Sequence, residues 1–213
     1  MREAPADVAT LLDWGVAAVA LPGEAESGDL HLVRSAEGGV LVAVVDGLGH
    51  GTEAATAARL AIAAIARHAH ESPLSLFERT HQALKGTRGV VMSLAFFKRT
   101  DPSLIWLGVG NVEGMLVRAD GGGHTARARR ALLTRGGIVG SELPNLKPEV
   151  LSLAIGDTLI FATDGIREGF VEGLPADATP QRQADDILAR HRKGTDDALV
   201  LVARYRGRTG TGR

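Results

Sequence analysis

Short apolar segments separated by turn residues recur along the chain and predict mainly β-structure. The predicted strands cover residues 14–21, 29–34, 40–46, 90–98, 103–109, 113–119, 149–155, 158–163 and a last strand over DALVLVARY. Several consecutive strands are joined by too few residues for a crossover helix, which favours antiparallel pairing. Gly156-Asp157 is predicted to form a turn between two strands that pair with each other.

Helical spacing appears in three places. An Ala-rich helix is predicted from Thr52 to about His70, and a second helix begins after Ser72, a predicted N-cap, with Pro73 at its first position. A third helix is predicted near 180–191. Because strands outnumber helices and come in hairpins, the pattern indicates an α+β fold in which helices cover antiparallel sheets.

Length and composition limit the function classes. A chain of 213 residues allows one medium domain, expected over 1–206, with a disordered tail over 207–213. Its net charge of −1 offers no electrostatic case for nucleic acid or a membrane surface. Cysteine is absent, which removes disulfides and thiolate chemistry. With no signal-peptide pattern and no long apolar run, we expect a cytoplasmic protein.

Aspartates at strand ends are the candidate chemical groups. Asp46 and Asp164 each follow an apolar strand and precede glycine, while Asp29 and Asp196 lie near strand starts. A buried carboxylate is costly unless something neutralises it, and hard divalent cations prefer oxygen ligands. The pattern therefore indicates a Mg²⁺ or Mn²⁺ site rather than zinc. For any single aspartate, a turn or capping role remains the alternative.

Five motifs carry a resemblance to a known family over nearly the whole chain. In chain order they are Ser27-Gly28-Asp29, DGLGHG from Asp46 to Gly51, GVGN from Gly108 to Asn111, GDTLIFATDG from Gly156 to Gly165, and DDALV from Asp196 to Val200. Together they resemble the PPM-type, protein phosphatase 2C-like serine/threonine phosphatases, in the bacterial branch named after stage II sporulation protein E. DGLGHG lacks the lysine and Ser/Thr of a nucleotide-binding P-loop.

The resemblance implies a four-layer α-β-β-α sandwich of two antiparallel sheets flanked by helix pairs. It implies two Mn²⁺ or Mg²⁺ ions, with Asp46 bridging both and the Gly47 carbonyl binding one. Asp164 and Asp196 would complete the other site, and Asp29 would contribute directly or through water. The implied reaction is hydrolysis of phosphoserine or phosphothreonine by metal-activated water, with Asp46 and Asp164 as the catalytic residues and no covalent intermediate.

A stand-alone domain of this kind resembles the feedback phosphatase of the sigma-B stress pathway. The resemblance implies phosphorylated STAS-domain stressosome proteins or anti-sigma antagonists as partners. Two alternatives stay open, a non-catalytic binding module with the same fold and a phosphoesterase acting on small molecules. His50 could act as a general acid, although a bond to a backbone carbonyl within the loop is the interpretation we favour. No arginine matches the phosphate-binding arginine of the larger eukaryotic members.

Overall fold

The structure is a computed structural model and describes residues 6–119 and 129–207. Its helices are α1 (Ala6–Leu11), α2 (Gly51–Arg67), α3 (Pro73–Ala83) and α4 (Pro180–His191). Its strands are β1 (Leu12–Val19), β2 (Asp29–Ala36), β3 (Gly39–Gly47), β4 (Val90–Lys98), β5 (Ser103–Val109), β6 (Glu113–Val117), β7 (Arg129–Leu132), β8 (Glu149–Ser152), β9 (Thr158–Ala162) and β10 (Ala198–Tyr205).

The strands form two five-stranded sheets. Sheet I has the order β1-β10-β9-β6-β7, and sheet II has the order β2-β3-β4-β5-β8. Every pair of neighbouring strands in both sheets is antiparallel. The predicted α+β sandwich of antiparallel sheets is confirmed.

Helices cover the outer faces of the two sheets. On sheet II, α2 packs through small buried side chains such as Ala57, Ala58 and Ala61, which let its backbone lie close to the strands. The helix α3 packs beside it, and its N-terminus is capped by Ser72, whose hydroxyl accepts from the Ser75 N–H at 3.2 Å. On sheet I, α4 and the segment containing Phe170 form the outer layer.

The main core lies between the two sheets. It contains alternate residues of the facing strands, among them Val42 of β3, Phe97 of β4, Phe161 of β9 and Leu201 of β10. This alternation follows from the two-residue period of a strand, which sends successive side chains to opposite faces of its sheet. None of the helices in the described ranges combines the length and apolar character that a membrane crossing requires.

Two details of the predicted strands are wrong. The segments on either side of Gly156-Asp157 do not pair with each other, because β8 joins β5 in sheet II and β9 joins β6 and β10 in sheet I. The chain crosses between the sheets at this turn. The strand β7, which none of the predicted strands covers, forms the edge of sheet I. Of the predicted tail, residues 208–213 lie outside the described residues.

Candidate functional site

The ends of four strands, β2 and β3 of sheet II and β9 and β10 of sheet I, meet at one edge of the sandwich. In sheet II, Asp29 at the start of β2 pairs in register with Asp46 near the end of β3. In sheet I, β9 ends just before Thr163, which pairs through its N–H with the carbonyl of Leu199 at the start of β10. Antiparallel pairing thus brings segments from both halves of the chain to the same place.

Thr163 joins the two sheets at this edge. Its hydroxyl donates a hydrogen bond of 2.7 Å to Oδ2 of Asp29. The oxygen of this hydroxyl also accepts a hydrogen bond of 2.8 Å from the Leu199 N–H. Asp29 is only 4% exposed and Thr163 only 2%. The bond therefore fixes the orientation of a buried carboxylate from the opposite sheet.

Asp197 organises the loop that precedes Asp29. Its Oδ1 accepts from the Leu21 N–H at 2.7 Å, and its Oδ2 accepts from the Gly28 N–H at 2.6 Å. Its own N–H donates to Oδ1 of Asp196 at 2.8 Å. Because backbone donors occupy both oxygens of Asp197, this residue holds the loop in place and leaves Asp196 as the more available carboxylate.

Asn111 contacts Asp164 from the turn after β5. Its Nδ2 donates to Oδ2 of Asp164 at 2.8 Å, which orients that carboxylate. The glycine-asparagine turn identified in the sequence therefore has a direct contact with a predicted ligand. The GVGN motif indicated Asn111, but the sequence alone did not show that Asp164 is the partner of this side chain.

Two glycines allow the close backbone approaches that shape the site. A Cβ on Gly47 would lie 2.2 Å from the Ala54 carbonyl oxygen in the first turns of α2. A Cβ on Gly165 would lie 1.9 Å from the carbonyl oxygen of Asp197. Both separations are far shorter than a real carbon–oxygen contact, so the Asp-Gly pairs found in the sequence reflect tight packing around the carboxylates.

The carboxylates strongly affect one another. Burial and, after it, the negative charges of the neighbouring aspartates Asp29, Asp164, Asp196 and Asp197 together raise the pKa of Asp46 to about 9. Burial likewise raises the pKa of Asp29 to about 7, although the Thr163 hydrogen bond opposes this shift. The pKa of Asp164 is raised by burial and by Asp196. Ionising these groups together is therefore unfavourable unless positive charge is supplied.

The donor set fits hard divalent cations in its chemistry. It consists of carboxylate oxygens, which Mg²⁺ and Mn²⁺ prefer, and a cation among them would offset their mutual repulsion. Across 6–119 and 129–207, no three His, Asp or Glu side chains lie in an arrangement that would already hold a metal ion. The predicted ligands Asp29, Asp46, Asp164 and Asp196 are thus brought into mutual electrostatic contact, and their role as ligands stays a prediction.

His50 does not make the backbone contact that we expected. It is exposed, and its Nδ1 lies 2.7 Å from Oε1 of Glu24. Glu24 also packs against Gly51, where a Cβ would meet its Oε2 at 2.8 Å. The expectation that His50 bonds a backbone carbonyl is therefore wrong. Its partner is an acidic side chain from the loop before β2.

A four-layer sandwich with clustered carboxylates at one edge suits a metal-dependent hydrolase, and comparisons with known proteins agree. The family model of stage II sporulation protein E (SpoIIE) matches residues 36–206. The chain therefore belongs to the SpoIIE family, a bacterial branch of the PPM-type, metal-dependent protein serine/threonine phosphatases. No curated protein sequence matches the chain.

Three solved structures show the fold. One, reported for the bacterial stressosome as a modular system adapted to control secondary-messenger signalling, is 32% identical, with a TM-score of 0.80 over 91% of this chain and 99% of that one. RsbX in complex with magnesium is 20% identical, with a TM-score of 0.80 over 92% and 96%. The catalytic domain of the serine/threonine phosphatase PstP with two manganese ions is 18% identical, with a TM-score of 0.69 over 92% and 99%.

Proposed function

We propose that the chain removes phosphate from phosphoserine or phosphothreonine of STAS-type regulators, using two Mn²⁺ or Mg²⁺ ions held by Asp46, the Gly47 carbonyl, Asp164 and Asp196, with Asp29 in support. One observation carries the proposal. Asp46 pairs in register with Asp29 on the neighbouring strand. Its pKa is raised by the negative charges of Asp164 and Asp196, which follow or precede strands of the other sheet. Asp46 and Asp29 are both affected by the charges of Asp164 and Asp196, and such a position among the carboxylates suits the bridging role proposed for Asp46.

The chain's own groups prepare this site for catalysis. When bound, the two cations would supply an activated water and neutralise phosphoryl oxygens. Thr163 and Asn111 hold the carboxylates of Asp29 and Asp164 in fixed orientations. Asp197 fixes the loop that leads into Asp29. Such fixed orientation limits the reorganisation needed during the reaction, which is how enzymes gain much of their rate.

The substrate assignment is supported by similarity. The relative at 32% identity comes from the bacterial stressosome, and RsbX has the same fold.

A substrate panel tests the proposal. The purified chain would be given Mn²⁺ and, in parallel, a phosphoserine-bearing STAS protein, an unrelated phosphopeptide and p-nitrophenyl phosphate, and phosphate release would be followed. Asp46→Asn removes the proposed bridging charge, and Asp13→Asn serves as the matched control because Asp13 is exposed on β1. We expect metal-dependent release from the STAS protein at the highest kcat/KM, lost in Asp46→Asn and retained in Asp13→Asn.

The outcomes separate the alternatives. Release from p-nitrophenyl phosphate at a kcat/KM above that of both phosphorylated polypeptides would point to a small-molecule phosphoesterase. Equal turnover of the STAS protein and the unrelated phosphopeptide would remove the STAS assignment while keeping the phosphatase. If no substrate releases phosphate in a metal-dependent way, the proposal fails and the binding-module alternative replaces it.

A further inference from the structure

A cavity of about 450 Å³ lies at the side of the sandwich, away from the aspartates. Its walls come from β5, from the segment that follows β7, and from the segment that leads into β8. Apolar side chains provide much of its lining, namely Trp106, Leu133, Leu146 and Pro148. Its volume is within the range of small-molecule sites, which are mostly apolar with a few placed polar groups.

Trp106 forms part of the wall of this cavity. The side chain is only 2% exposed, and its Nε1 has no hydrogen-bond acceptor among the residues that the structure describes. Gly108 makes room for the indole ring, because a Cβ there would lie 2.6 Å from the ring. No water-sized atom can reach this N–H, so Trp106 contributes its ring rather than its N–H to the cavity wall.

The same cavity has two cationic side chains in its lining. Arg135 and Lys147 line it and are exposed, and neither forms an ion pair within the described part of the chain. The carboxylate in the lining, Glu149, is already paired with Arg130. The free charge at the cavity is therefore positive. Apolar walls and two cations together favour an anion that carries an apolar body.

The cavity is connected to the carboxylates by backbone hydrogen bonds. The Arg135 N–H donates to the Gly108 carbonyl at 2.9 Å, and the Arg135 carbonyl accepts from the Gly110 N–H at 2.8 Å. The next residue, Asn111, donates to Asp164 at 2.8 Å. A ligand that draws Arg135 toward the cavity would therefore act on the turn that orients Asp164.

We propose that this cavity binds a small organic anion, a carboxylate or a phosphate ester with an aliphatic or aromatic body. The anionic head is held by Lys147 and Arg135, and the body packs on Leu133, Leu146 and Pro148 beside the Trp106 ring. Occupancy is transmitted through Arg135 and Asn111 to Asp164 and changes phosphatase turnover. Only this transmission rests on the proposed function, because binding itself requires no catalysis.

Nuclear magnetic resonance of the indole N–H tests binding directly. The sequence has two tryptophans, so Trp14→Phe assigns the Trp106 signal. The full chain would be titrated with octanoate and with octyl phosphate, and with octanol and octylammonium as neutral and cationic controls. We expect saturable shifts of the Trp106 N–H signal with one or both anions, because its ring lines the cavity, and the anion that binds more strongly identifies the head group.

Substitutions show whether the named groups bind the probe. Lys147→Ala should weaken binding of the preferred anion about tenfold or more, since a charge-assisted hydrogen bond is lost. Lys85→Ala is the matched control, because Lys85 is an exposed lysine that does not line the cavity.

Each outcome decides one part of the proposal. If neither anion gives saturable shifts, or if octanol shifts the signal equally, the cavity is no anion site and the proposal is overturned. A Lys147→Ala protein that binds the preferred anion with unchanged affinity would also overturn the proposal. Turnover of p-nitrophenyl phosphate that changes with the preferred anion in the native chain, but not in Lys147→Ala, supports transmission to Asp164. Binding without any change in turnover would overturn the transmission.

Discussion

The hydroxyl of Thr163 donates a hydrogen bond of 2.7 Å to Oδ2 of Asp29, a residue 134 positions earlier in the chain. The two residues belong to opposite sheets, and both are almost completely buried. The contact therefore joins the sheets at the edge where the carboxylates meet. It also makes the orientation of Asp29 depend on a residue that carries no charge.

Replacing Thr163 with valine should affect both stability and metal binding. Valine keeps the shape but leaves Asp29 and the Leu199 N–H without this partner, so we expect a loss of about 1–3 kcal/mol in the free energy of unfolding. Thr163→Ser keeps the hydroxyl and should lose less. Urea unfolding of the three metal-free proteins measures the difference. Equal stabilities of the native and valine proteins would show that the bond contributes nothing.

The neighbouring aspartates Asp196 and Asp197 should respond differently to substitution. Asp197→Asn replaces one of two accepting oxygens with a donor, which leaves the N–H of Leu21 or Gly28 unpaired and should cost about 1–3 kcal/mol of stability. Asp196→Asn should lower Mn²⁺ affinity and phosphate release while leaving metal-free stability nearly unchanged. Thermal unfolding and metal titration of both variants provide the comparison. The reverse pattern would exchange the roles assigned to the two residues.

The stability of the metal-free protein should depend on pH in an unusual direction. The folded pKa values of Asp29 and Asp46, about 7 and about 9, lie above the ordinary 3.8. Their protonation favours the folded state, so this contribution is fully present below about pH 4 and is lost as pH rises to about 9. The Asp46→Asn protein has no carboxyl group at this position, so this part of the pH dependence is absent from it. Without metal, its stability relative to the native chain should increase between pH 5 and pH 8.

Saturating Mn²⁺ provides the control for this pH effect. A bound cation favours the ionised carboxylates, so the native protein with Mn²⁺ should gain stability over the same pH range. Denaturant unfolding with chelator and with Mn²⁺ gives both curves. A native metal-free protein whose stability relative to Asp46→Asn is independent of pH would contradict the mutual repulsion inferred for these carboxylates.

Adding a single methyl group at Gly165 should disturb the site by steric contact. The new Cβ would lie 1.9 Å from the Asp197 carbonyl oxygen, so backbone must move, at a cost of about 1–3 kcal/mol or more. Gly136→Ala is the control, because nothing lies within 4 Å of the position of its Cβ. Thermal unfolding of both variants is sufficient. A Gly165→Ala protein as stable as Gly136→Ala would show that the close approach is absent.

Local sequence patterns predicted much of the fold. The bounds of β4, β5 and α4 agree with the predicted segments, because each is a continuous apolar or helical pattern limited by clear turn or capping residues. The pairing of β8 and β9 could not be predicted, since a short turn between strands does not reveal that the chain changes sheets there. The edge strand β7 has mostly exposed residues and so lacks an apolar pattern.

The candidate site was predictable in composition and not in its contacts. Asp29, Asp46, Asp164 and Asp196 were identified from their motifs, and the structure brings them together. The support from Thr163 and the loop contacts of Asp197 join residues far apart in the chain, so no spacing rule could find them. For Thr163, the sequence offered one signal, namely a threonine directly before Asp164 at the end of an apolar strand.

Calorimetric titration with Mn²⁺, combined with phosphate release from a phosphoserine-bearing protein in the same samples, tests the central claim most directly. The account predicts two Mn²⁺ ions bound per native chain and metal-dependent release, with both lost or strongly reduced in Asp46→Asn and unchanged in Asp13→Asn. A native chain that binds no Mn²⁺, or an Asp46→Asn protein that binds and turns over like the native one, would contradict a two-metal phosphatase centred on Asp46.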